Sequence, residues 1–472
     1  MSKIVLESRS VIPSLRHRGR TLAMVLGVVA ALGSLPVLAN PFEKQLSNGM
    51  RVIVKEDPRA PTAVHMVWYR VGAMDEKDGT SGVAHVLEHM MFKGTQKVPA
   101  GAFNRIVAET GGKDNAFTAW DYTAYFQIVP KGVLAKMMAL EADRMANLRL
   151  TKEEFASEVK VVMEERRMRT EDNPQSLVHE ALHATAFQAH PYRRPIIGWM
   201  DDLEHMTWQD AHDWYKQWYA PNNAYLLVVG DVNHEQVFRD AEKTYGRIKA
   251  RAALPERKPQ NEPEQTGIKR VTVKAPAKLP YLAMAWKVPK LHDVTKDRDA
   301  YALEVLAGVL DGNDASRLAK NLVRGDKIAQ SAGAGYESTV RGESLFLMDG
   351  QPAEGHTVAE LESALRGQLA RIQNEGVSEE ELTRIKTQIV ANQVYKRDSM
   401  MAQAMEIGQF EAAGFNWRDY DKLLDQLRSV TAAEVQAVAK KYFSDDTLTI
   451  AQLEPLPVDQ AKPKRAAVQT RH

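Results

Sequence analysis

His85, Glu88 and His89 stand together in a mostly apolar stretch, SGVAHVLEHMMFKGT, residues 81–95. On a helix, positions three and four apart share a face, so all three side chains can point the same way. Two imidazoles one turn apart can share a metal ion, and a carboxylate beside them can take a proton from water activated there. Without a metal the same residues would be core histidines and a buried glutamate. A buried carboxylate needs compensation, and this helix offers it none. Ser81 is placed to cap the helix and Gly94 to end it, so the spacing predicts a helix over 82–93.

The order H-x-x-E-H is the inverted zincin pattern. A second motif, His179-Glu180-Ala181-Leu182-His183, has the ordinary zincin order H-E-x-x-H on another predicted helix, and taken alone it is as persuasive as the first. Further carboxylates lie on KEEFASEVKVVMEERRMR, which Thr151 and Glu154 open as a capping box. Glu158 and Glu165, seven residues apart, share one face of that helix, whereas Glu164 points about 100° away from Glu165.

The elements that must position these residues fill a chain of 472 residues, long enough for two domains. Apolar and charged contents of 44% and 26% are those of a soluble globular protein, and a formal charge of +1 gives no bulk electrostatic case for nucleic acid or an anionic membrane. Cysteine is absent, so any metal must be held by histidine and carboxylate. Residues 1–39 have the layout of a secretory signal peptide: arginines, the apolar run TLAMVLGVVAALGSL, then Pro36 and a V-L-A cleavage site. Cleavage would leave an exported chain starting near Asn40, periplasmic in a bacterium, with no stable membrane anchor; an uncleaved anchor is the competing reading.

Strands are expected within 40–70, at 114–130 and at 225–232, with helices at 131–149, from Lys152 to about Arg169, and at 175–188, 207–218 and 234–245. The polar, proline-rich RAALPERKPQNEPEQTG (251–267) reads as a linker. A second half, 268–456, repeats strands and amphipathic helices, and 457–472 reads as a disordered tail. Residues 206–226 align without gaps on 430–450, matching Thr207 with Thr431 and Lys216 with Lys440. An internal duplication of about 220 residues accounts for this. The fold class expected is therefore α+β: two homologous domains, 40–250 and 268–456, each a mixed or antiparallel sheet packed with helices, with metal residues in the first alone.

Several separated motifs carry a family resemblance: LSNGMRVIV, the G-x-A-H-x-L-E-H-M-x-F-K-G-T block, NAFTAWDYTAY, EVKVVMEERR, HPYRRPIIG and PNNAYLLVVGDV. Over roughly 42–456 the chain resembles the pitrilysin family of inverzincin metallopeptidases, in the short-subunit branch that includes mitochondrial processing peptidase. The resemblance implies that His85, His89 and Glu165, which lies 76 residues past His89, hold one Zn2+ per chain. It implies Glu88 as general base and Glu158 as the carboxylate that orients the metal site. The donor set itself does not separate zinc from manganese or cobalt. Asn115, Ala116 and Phe117 match the edge strand on which relatives bind peptide substrates, and the H-E-x-x-H segment falls where relatives carry no catalytic residue. Many relatives also use an arginine and a tyrosine seven apart from the second domain. Arg324 matches the arginine, but Ser331 stands at the tyrosine position and Tyr336 is five residues late. The resemblance implies a dimer enclosing a chamber that admits unfolded peptides. The missing tyrosine points to a heterodimer with a metal-free paralogue that supplies the Arg–Tyr pair. A non-catalytic structural subunit is the alternative.

Overall fold

The computed structural model describes residues 41–458. The expected signal peptide and nearly all of the expected tail lie outside the described residues. Six strands form the first sheet: β1 (Phe42–Gln45), β2 (Arg51–Glu56), β3 (Thr62–Tyr69), β4 (Lys113–Thr118), β5 (Thr123–Pro130) and β6 (Ala224–Gly230). Their order is β1-β2-β6-β3-β5-β4. The second sheet contains β7 (Lys269–Pro276), β8 (Tyr281–Val288), β9 (Ala329–Tyr336), β10 (Ser344–Pro352) and β11 (Leu448–Leu456), in the order β7-β11-β8-β10-β9. Apart from β1, the two sheets have the same succession and directions, one parallel pair (β2/β6, β7/β11) and otherwise antiparallel neighbours. The duplication read from 206–226 and 430–450 is therefore a duplication of topology. In both copies a threonine, Thr207 or Thr431, closes a capping box at the helix before the last strand of its sheet.

Eight helices belong to the first half: α1 (Val83–Met90), α2 (Ala102–Glu109), α3 (Leu134–Asn147), α4 (Lys152–Arg166), α5 (Pro174–Ala186), α6 (Met200–His205), α7 (Trp208–Trp218) and α8 (His234–Lys243). Six follow in the second: α9 (Arg298–Asp311), α10 (Val358–Glu375), α11 (Glu379–Lys396), α12 (Met400–Ala412), α13 (Tyr420–Ser429) and α14 (Ala432–Tyr442). No described helix is long and apolar enough to cross a membrane.

The central strands are apolar on both faces because both faces are covered. Along β3, Ala63, Val67 and Tyr69 enter the core beneath α1 and α7, while Val64, Met66 and Trp68 enter a second core on the opposite face. That opposite face is closed by α12 of the second half, through Ala404, Ile407 and Ala412. The second sheet is treated in the same way. Val178, Leu182 and Ala186 of α5 pack on Tyr281, Ala283, Ala285, Ala451 and Leu453. Each half thus lends one helix to the other's sheet, and the two helices occupy corresponding places in the two copies. Residues 251–267 hold no helix or strand but are fastened down: the Glu262 carboxylate accepts from the backbone N–H groups of Gln188, Ala189 and His190 and pairs with Lys287 at 2.9 Å.

Candidate metal centre

α1 is buried along its whole length, which fixes where its polar side chains can go. Its start differs from the sequence expectation. Ser81 does not cap it; Ser81 Oγ donates to Asp202 and accepts from the Trp199 N–H. The cap residue is Gly82, at φ +88°, where a Cβ would lie 2.6 Å from the Ile197 carbonyl oxygen. The open N–H groups of the first turn are met instead by Glu76, which accepts from Gly82 and Ala84, each at 2.9 Å. Burial pushes the Glu76 carboxyl up to about 8 in spite of these two donors. The helix ends one turn earlier than expected, and a tighter turn over Met91–Lys93 leads to Gly94 at φ +90°.

His85, His89 and Glu165 converge, with one ligand atom from each lying within 4.8 Å of the others, and all three residues are buried. Glu165 Oε2 lies 3.3 Å from His89 Nε2 and 3.9 Å from His85 Nε2. On its other side His89 Nδ1 meets Glu158 Oε1 at 3.0 Å. A carboxylate can only accept, so Nδ1 carries a proton, and Nε2 is left facing Glu165. A buried carboxylate facing a buried imidazole nitrogen calls for a cation between them, a proton or a metal ion. The 3.3 Å separation is that of two ligands on a tetrahedral ion with bonds of about 2.0–2.2 Å. The residues fit a zinc-type metal.

The charges around the cluster are arranged to the same end. Burial pushes the Glu165 carboxyl up, but the two imidazoles and Arg169 outweigh it and hold it at about 2. Burial likewise opposes a charge on His89, yet Glu158 and Glu165 raise it to about 9, so that without a metal the cluster takes a proton in its place. Glu158 is held below its ordinary value against burial by His89 and Lys93. Arg169 Nη1 grips Glu165 Oε1 at 2.5 Å from the next turn.

Glu88 is not part of the converging trio. Its Oε2 accepts from Thr118 Oγ1 at 2.5 Å, and burial pushes its carboxyl up to about 7 against the pull of Thr118 and His89. A carboxyl near neutrality beside a metal cluster is suited to moving a proton. Glu88, His85 and Glu165 line a cavity of about 490 Å3 whose wall includes Asn115, Ala116 and Phe117 on β4. β4 ends the sheet and pairs only with β5 among the described residues, which leaves its other edge for an extended chain.

Three other sequence-derived residues fall elsewhere. Glu164 turns to Arg167 and stays outside the cluster. Arg324 donates to the Asp314 carbonyl and does not line the cavity. Tyr336 is committed to the Pro289 carbonyl at 2.6 Å and cannot stand in for the residue at 331. The H-E-x-x-H residues do face the cavity, but not as ligands. His179 Nε2 meets Tyr281 Oη at 2.9 Å, Glu180 forms a bidentate pair with Arg166, and the His183 ring lies tilted against Trp120. Burial keeps both rings neutral, His183 at about 4. Sequence reasoning missed Glu76, Thr118, Lys93 and Arg169. Arg169 alone had a spacing signal, four residues past Glu165 on one helix.

The family description "Insulinase (Peptidase family M16)" matches residues 51–199, and "Peptidase M16 inactive domain" matches 205–389. The chain is 31% identical to the zinc protease PqqE of Helicobacter pylori over 93% of this chain and 98% of that one. It is 26% identical to a probable mitochondrial-processing peptidase subunit beta of Arabidopsis thaliana, over 87% of this chain and 78% of that one. The crystal structure of a protease from H. pylori superposes with a TM-score of 0.84 at 30% identity, covering 88% of this chain and all of that one. Motifs, sheet topology, ligand cluster and relatives agree, and the chain belongs to peptidase family M16.

Proposed function

We propose that this chain is an exported zinc endopeptidase that hydrolyses unfolded peptides and works as the catalytic subunit of a dimer. The observation that carries the reading is the juxtaposition of a buried His85–His89–Glu165 cluster with a separate carboxyl, Glu88, in one cavity beside an open strand edge. Relatives named zinc protease support the choice of metal and reaction. Residues 1–39 support export.

Held by His85, His89 and Glu165, zinc would supply a Lewis acid that polarises the scissile carbonyl and acidifies a water molecule. The chain's own residues do the rest. β4 pairs with the substrate main chain as an added strand, so that affinity depends little on side chains. Glu88 removes a proton from the attacking water as the oxygen–carbon bond forms, and returns it to the amine nitrogen as the carbon–nitrogen bond breaks. Thr118 fixes the Glu88 carboxyl in place, and Glu158 holds His89 in the tautomer that offers Nε2.

A second reading, that of a zinc subunit silent without a paralogue, rests on Ser331 and on the engagement of Tyr336 elsewhere. One measurement separates the two: cleavage of a quenched unfolded peptide by the purified mature chain, with and without chelator, alongside zinc content. Chelator-sensitive turnover is the expected result for a self-sufficient enzyme. Bound zinc without turnover assigns the missing groups to a partner, and a chain without zinc sinks both readings.

A further inference from the structure

In the first half, a cleft of about 580 Å3 opens between α3, α7 and the segment that leaves α8. It shares no lining residue with the metal cavity. Six cations line it, Lys97, Lys216, Lys243, Arg247, Lys249 and Arg251, against one carboxylate, Asp143, in a chain whose formal charge is only +1. Lys97 reaches Asp143 at 3.6 Å and Lys243 reaches Asp240 at 3.9 Å. Lys216, Arg247, Lys249 and Arg251 form no ion pair with any described residue, and Arg251 Nε is buried without a hydrogen-bond partner.

The backbone is built to hold this arrangement. Asn48 Nδ2 donates to the carbonyls of Tyr245 and Ile248, and Asn222 brackets Arg251 through both its N–H and its C=O. Ile248 is extended, at φ −77° and ψ 131°, and packs on the first core. The backbone that carries Arg247 and Lys249 on either side of it is therefore held in place. Six cations against one carboxylate carry more charge than a single small phosphate ion would neutralise. A concave surface of one sign concentrates field and draws in a counter-charge, and guanidinium groups match phosphate oxygens as forks.

We infer that this cleft is a binding site for a phosphate polyanion, a chain of condensed phosphates rather than a single ion. The same chemistry could come from the phosphates of an anionic lipid surface, but a cleft suits a chain better than a plane.

The test is calorimetric titration of tripolyphosphate into the full mature chain, with sedimentation against phosphatidylcholine vesicles containing or lacking phosphatidylglycerol. Saturable tripolyphosphate binding is expected. It should weaken roughly tenfold or more in the triple variant Lys216→Gln/Arg247→Gln/Lys249→Gln, three exposed side chains whose loss leaves the core intact. The control Lys274→Gln/Lys296→Gln/Lys422→Gln removes the same charge from exposed positions outside the cleft and should bind as the parent does. Capture of phosphate at the metal centre would be untouched by the first variant. Absence of saturable binding, or equal weakening in both variants, overturns the inference. Vesicle capture without tripolyphosphate binding overturns it in favour of a membrane-facing surface.

Discussion

Glu88 and Glu165 are carboxylates on neighbouring helices of one small site, yet their surroundings drive them apart. Burial dominates at Glu88 and brings it to about 7, whereas the imidazoles and Arg169 dominate at Glu165 and hold it at about 2. Such a split suits the proposed roles, Glu88 as the proton carrier and Glu165 as a permanent anion. Glu88→Gln should therefore retain the metal, read by elemental analysis, while kcat falls by about 10²–10⁴. Metal loss in that variant would contradict the assignment. His89→Ala should empty the site, and His183→Ala should leave metal content at the parental level, because His183 is a neutral ring packed at a tilt against Trp120. Lys93 acts through Glu158 and so on His89. Lys93→Met should lower metal affinity by about 10–100-fold in a chelator competition, with Lys93→Arg recovering much of it.

Among the elements, α12 shows how a locally poor residue serves a tertiary contact. Gly408 sits within that helix, where alanine is ordinarily favoured by about 1 kcal/mol. Here a Cβ would lie 2.1 Å from Trp68 Cζ2, and Tyr225 Oη donates to the Gly408 carbonyl at 2.6 Å. Overpacking of this kind costs about 1–3 kcal/mol and exceeds the propensity gain. Gly408→Ala should thus lower the urea midpoint; a rise would mean that α12 moves freely over the sheet. The metal centre is untouched in that variant, and its zinc content should not change.

At the scale of the whole molecule, the two halves are tied by exchanged helices and by the strap at 251–267. Burial pushes Glu262 up, but three backbone N–H donors and Lys287 bring it to about 2, from an ordinary value of 4.5. A carboxyl with a lowered folded pKa contributes stability that is complete above 4.5 and is lost as pH falls through about 2. Glu262→Gln should therefore be less stable than the parent at pH near neutrality, with the difference shrinking at strongly acid pH in parallel urea titrations. A difference independent of pH would assign Glu262 a packing role only.

Sequence by itself determined the local parts of this protein. Apolar alternation located the strands, capping residues such as Thr151 and Thr207 located helix starts, and the 85–88–89 spacing placed three side chains on one face, because these depend on neighbours within a turn or two. It also carried the duplication, since copies keep their caps. The long-range pairings were decided by the tertiary structure alone. Glu76, not Ser81, meets the open N–H groups at the start of α1, Thr118 holds Glu88 from thirty residues away, and α5 and α12 each cross to the other half's sheet. The H-E-x-x-H spacing offers two histidines on one helix face as readily as His85 and His89 do. What separated them was that Glu165 arrives beside His85 and His89, whereas Tyr281 and Arg166 arrive beside His179 and Glu180. Spacing orients side chains along one helix; only packing brings the partner that gives them a use.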